Sequence, residues 1–152
     1  MLAVGERDTV VVPAEKPPDR KINAHEIVSV PNEIQNFDKK SRLIVAFEDR
    51  GWTGPPVLVE WNENKGGYVA WNGSHRIAAA SKAAISIPVR ELDGRKLSSA
   101  IKRLKIERKR MDDEDRIRVL SEAGYNEEAA LLDRELRQRD VFSVNTGAND
   151  GD

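Results

Sequence analysis

The chain has 152 residues, enough for one domain of ordinary size, and its 25 basic and 26 acidic side chains leave a net charge of −1. That balance gives no global pull toward nucleic acid or an anionic membrane. With no cysteine, disulfides, thiolate zinc sites and thiol catalysis are excluded for this chain. Hydrophobic residues make up only 39% and charged residues reach 34%, so part of the length is expected to be tail or well-solvated helix. No apolar run approaches the ~18 residues of a membrane span and no secretory leader is evident, so a cytoplasmic protein is expected.

Residues 1–19 read as a flexible arm. Thr9-Val10-Val11-Val12 is prone to strand, Pro13 closes it, and Pro17-Pro18 holds the following segment extended. Lys21-Ile22-Asn23 suits a short strand, and Ala24 to Val28 a turn or a single helical turn. Asp38 is the expected N-cap of a helix from Lys39 to Arg50, with Leu43, Ile44, Ala46 and Phe47 on its apolar face and Gly51 at its end.

Pro55 to Trp61 alternates as a strand, placing Val57, Val59 and Trp61 on one face. The polar loop Asn62 to Gly66 then returns the chain as a second strand, Gly67 to Trp71. Asn72-Gly73 is a turn signal, and the alanine-rich run behind it favours a helix from Ser74 to Ala83 over a hairpin return. Trp52, Trp61 and Trp71 cluster here, as core packing or as a platform for a base.

A helix start presents unpaired N–H groups and a partial positive charge, and acids normally follow it. This one carries Ser74, His75 and Arg76 instead. Cations at that end favour an anion between them, so Asn72, Gly73, Ser74, His75 and Arg76 are the candidate phosphate or nucleotide site. The alternative is a basic first turn with Asn72 or Ser74 as a plain cap.

Ile85-Ser86-Ile87-Pro88-Val89 alternates as a strand, and Pro88 marks an edge or a strand end because it cannot donate to a ladder. Beyond Asp93-Gly94 the composition shifts. Leu97 to Met111 reads as a helix that is strongly basic, with Glu107 its one acid. The acidic run Asp112 to Asp115 suits the start of the next helix, and Asn126 caps the last. Residues 95–110 are therefore a candidate DNA contact or, preferred, the basic half of an intramolecular or homodimeric pairing through the C-terminal helices. The expected class is α+β: a small mixed β-sheet with packed helices over 20–93, a helical extension over 94–140 and a disordered tail over 141–152.

The order of elements carries a family resemblance. A strand ending in a Gly-x-His-Arg turn, an alanine-rich helix and an Ile-x-Ile-Pro-Val strand, with Gly51-Trp52-Thr53-Gly54-Pro55-Pro56-Val57 upstream, resembles the ParB/sulfiredoxin superfamily over about Lys21 to Leu92. In the sulfiredoxin branch the Gly-Cys-His-Arg turn holds nucleotide phosphates, which implies that role for His75 and Arg76 with Gly73 in the turn. Ser74 stands where that branch has its nucleophilic cysteine, so sulfinic acid reduction by that route is excluded. The partition-protein branch has Gly-Glu-Arg-Arg with the Glu near a metal, and Ser74 departs from that too.

The resemblance implies a nucleotide (ATP, ADP or CTP) with magnesium as the accompanying metal, and phosphoryl hydrolysis or transfer. An early carboxylate would serve the metal or act as base, with Glu26, Glu33 and Asp38 as candidates and His25 beside them. Two further readings stay open. One is a DNA-binding or nuclease module. The other is a non-catalytic scaffold, its turn occupied by a protein carboxylate or by nothing and its acidic hairpin binding a partner.

Overall fold

Four consecutive side chains of one strand, Val57, Leu58, Val59 and Glu60, are all buried, so that strand is covered on both faces and lies inside a layered molecule. The structure is a computed structural model that describes residues 18–32 and 36–150, with the backbone alone for 139–150. Its five strands are β1 (Arg20–Ile22), β2 (Ile27–Ser29), β3 (Val57–Asn62), β4 (Gly67–Ala70) and β5 (Ile87–Leu92). They form one mixed sheet in the order β1-β5-β3-β4-β2. β3 and β4 make the expected hairpin, with Val59 opposite Ala70 and Asn62 opposite Gly67.

β5 lies parallel to β3, starting at Val57 opposite Val89, and antiparallel to β1. It is thus an inner strand, and of the two expected places for Pro88, an edge or a strand end, the second holds, since Pro88 is the second residue of β5. Pro88 is tolerated because it sits one residue ahead of the β3 ladder, where no donor is required.

Helices cover both faces, which makes the protein α+β. On one side lie α1 (Phe37–Arg50) and α2 (Ser74–Ala83). Phe47, Ile77, Ala79 and Ala80 pack there on Val57, Val59, Tyr68, Ala70, Ile87 and Val89. The alanines of α2 remove side-chain bulk, and its backbone lies close to that of α1. Asn36, not Asp38, caps α1, its side chain accepting from the Lys39 amide at 2.8 Å. Asp38 falls in the exposed first turn, a favourable place for an acid.

The other face carries α3 (Gly94–Leu104), α4 (Asp113–Glu122) and α5 (Asn126–Asp150). Leu97, Ala100, Ile101, Val119, Leu120, Ala129 and Leu132 pack on Leu58, Trp71 and Leu92. The segment expected as an extension is therefore the second layer over the sheet.

The helix expected from Leu97 to Met111 is shorter and starts earlier. Asp93 caps α3, its carboxylate accepting from the Arg95 amide at 2.9 Å. The helix ends at Leu104, where Lys105 takes φ +57°. That turn lets Ile106 return to the core and sends Arg108 to the buried Glu60, with contacts of 2.9 and 3.3 Å. α5 runs on to Asp150, past residue 141, where a disordered tail was expected. The Thr9–Val12 run and residues 1–17 of the arm lie outside the described residues. Among the described residues no helix is long and apolar enough to cross a membrane.

Several of the basic side chains of 95–110 are answered from within the chain. Arg103 bonds Glu122 at 2.8 Å, Arg108 bonds Glu60, and Arg110 lies 3.3 Å from Glu107. A buried pair, Arg90 with Glu128 at 2.9 Å, pins the start of α5 to the sheet.

Candidate functional site

The site is built where β4 gives way to α2. Trp71 is buried, and its amide still bonds the Leu58 carbonyl at 2.8 Å. Asn72, also buried, uses both ends of its amide: Oδ1 accepts from the Leu58 N–H at 2.9 Å, and Nδ2 donates to Glu135 Oε1 at 2.8 Å. These partners fix which end is oxygen. Gly73 then takes φ +80°, a conformation that favours glycine, and an added Cβ would also be tight against Val57 at 3.2 Å. As N-cap it has no side chain to offer the helix. The first intrahelical donor bonding back to Gly73 is Ile77, so the amides of Ser74, His75 and Arg76 have no acceptor within α2.

The three side chains of this turn are engaged differently. Ser74 Oγ accepts from the Asn32 amide at 3.1 Å, and His75 Nε2 accepts from the Asn36 amide at 3.2 Å. An imidazole accepting at Nε2 carries its proton at Nδ1. In this arrangement Ser74 and His75 tie the start of α2 to the chain leading into α1. Arg76 donates from Nη1 to the Pro55 carbonyl at 2.6 Å and from Nη2 to Glu135 Oε2 at 2.8 Å. Its guanidinium stacks 5.2 Å above the Trp52 ring. Burial lowers the Arg76 pKa from its ordinary value, and the adjacent Glu135 carboxylate opposes that shift.

In front of the turn opens a cavity of about 780 Å³ between α1, α2 and the second helical layer. All five residues expected at the phosphate site, Asn72 to Arg76, line it. Lys39, Arg42 and Arg134 join Arg76 on the basic side, against the carboxylates of Asp113 and Glu135. The volume lies within the range of small-molecule sites. Asp113 bonds Arg116 and takes a 3.5 Å contact from the Asn32 side-chain amide.

Two of the early carboxylates, Glu26 and Asp38, do not line this cavity. Glu26 closes a capping box at the 3₁₀ turn Ala24–Glu26, its carboxylate accepting from the Asn23 amide at 2.9 Å. Asp38 is not among the lining residues, and Glu33 lies outside the described residues. The carboxylates that do line the cavity, Asp113 and Glu135, come from the helices that follow the sheet. Lys39 and Arg42 carried a readable signal, three residues apart on a helix adjoining the turn. For Glu135 there was none, because only folding brings it to Arg76 across 59 residues.

A resident metal is not supported by this donor set. Both lining carboxylates are committed to arginines, and no cluster of three His, Asp or Glu occurs among the described residues.

Fold and site together define an α+β protein with a basic, partly walled cavity at a helix start. No protein family model matches the chain, and no curated protein matches it. Among solved structures it is similar to the C-terminally truncated chromosome-partitioning protein ParB from Caulobacter crescentus, crystallised complexed with CTP-gamma-S. The two are 19% identical at a TM-score of 0.41, over 68% of this chain and 76% of that one. A likeness at that level assigns neither family nor ligand.

Proposed function

We propose that this protein binds the phosphate groups of a nucleotide in the cavity at the start of α2. One observation carries the reading: a cavity of about 780 Å³ is lined by the first turn of a helix together with Lys39, Arg42, Arg76 and Arg134. Among the described lining residues, four cations stand with two carboxylates, and together with helix-start amides without an acceptor in their own helix they suit a ligand bearing several negative charges. Arg76 is held in place by Pro55 and Trp52, so little side-chain freedom is lost when it grips an anion. Magnesium would arrive with the nucleotide rather than on a site of its own. The proposed activity is binding; the carboxylates in the cavity are paired to arginines, which supports no assignment of a general base.

Calorimetric titration with ATP, ADP and CTP, each with and without magnesium, tests this. At least one should bind saturably, and Arg76→Lys should weaken it about tenfold or more, since an ammonium cannot replace the planar fork. No binding of any of the three at millimolar concentration would contradict the proposal.

A second reading has its own support. The Glu135 carboxylate already occupies Asn72 and Arg76, as it would in a non-catalytic scaffold whose turn is permanently closed.

A further inference from the structure

We infer that Glu135 is a built-in occupant of the phosphate position, and that a bound ligand must evict it and thereby loosen the distal part of α5. The inference rests on the proposal above that the cavity takes phosphate. Arg76 spends Nη1 on the Pro55 carbonyl at 2.6 Å, and its Nη2 meets Glu135 Oε2 at 2.8 Å. The other carboxylate oxygen takes the Asn72 side-chain donor at 2.8 Å. A phosphate gripping the same guanidinium and amide competes for those donors and repels the carboxylate at close range. Both anions cannot hold the position.

α5 is built for such an exchange. Its base is fixed by the buried Glu128–Arg90 pair and by Ala129 and Leu132 in the second core. Glu135 lies seven residues, two helical turns, beyond Glu128 on the same face. Within residues 126–138, the part of α5 whose side chains are described, it makes the last polar link to the rest of the molecule. Eviction therefore removes the polar hold on residues 133–138 while the base of α5 stays anchored. Glu135 also sets a threshold for the ligand. A single singly charged anion merely replaces a carboxylate, whereas a polyphosphate brings further charge for Lys39, Arg42 and Arg134, which line the same cavity.

The test uses inorganic tripolyphosphate and inorganic phosphate as probes on the full chain. Glu135→Gln keeps an acceptor for Arg76 and removes the charge. It should bind tripolyphosphate about tenfold tighter than the natural chain, within the usual range of coupling between mutually exclusive contacts. In the unaltered protein, saturating tripolyphosphate should speed amide hydrogen exchange over residues 133–138 while that around Glu128 stays protected, a readout that needs no variant to fold. Equal or weaker binding by Glu135→Gln, or unchanged or slower exchange with tripolyphosphate bound, overturns the eviction and leaves phosphate binding standing. Failure of both proteins to bind either probe overturns the phosphate reading and the eviction with it.

Discussion

Asn72 joins two parts of the protein with one side chain. Its carbonyl oxygen satisfies the Leu58 amide inside the sheet, and its nitrogen holds Glu135 of α5. Replacing it with alanine leaves a buried donor on β3 without a partner, which costs about 1–3 kcal/mol. Asn72→Ala should show that loss in urea denaturation, and a change below about 0.5 kcal/mol, the scale of an ordinary surface substitution, would contradict the bond's role. The neighbouring residues show how far a local motif can be read. Ser74, His75 and Arg76 stand at the helix start where spacing put them, but two of the three accept from backbone amides near α1. A motif specifies residue types, whereas the partners of each are set by which loop folds over it.

At the scale of elements, α5 depends on its first turn. Glu128 is 6% exposed and pairs with Arg90 at 8%, so its removal takes a 2.9 Å carboxylate partner from a buried guanidinium. Glu127, 3.9 Å from Arg90, softens the loss. Glu128→Ala should therefore destabilise by about 3 kcal/mol, the lower end for breaking a buried pair, measured as a shift in denaturation midpoint. An unchanged midpoint would show that α5 does not rest on this pair.

Elements with strong local signals were legible: α2 follows from Gly73 and the alanines, and the β3–β4 hairpin from alternation and its polar loop. β2 was not, because three residues paired in parallel to β4 show no alternation long enough to read. The end of α3 was equally hidden. The residues after Leu104 remain good helix formers, and what stops them is a tertiary demand, Ile106 returning to the core and Arg108 to Glu60.

Across the whole molecule, the cavity lies at the seam between two layers contributed by successive parts of the chain. Residues up to Arg76 supply the turn and most of the cations, while Asp113, Arg134 and Glu135 close it from the far side. The turn from Asn72 to Arg76 was visible in the sequence because a helix start is local, whereas Lys39 and Arg42 of α1 were not singled out. The far side was invisible because it depends on how α4 and α5 settle on the sheet. The basic stretch 95–110 is the competing surface for an anionic ligand, although Arg103, Arg108 and Arg110 already have acidic partners within the chain. Amide NMR spectra recorded while a nucleoside triphosphate is added separate the two most directly. The account predicts that the Ser74, His75 and Arg76 amides and the Arg76 guanidinium shift first and furthest. Shifts confined to residues 95–110, with the start of α2 unmoved, would contradict it.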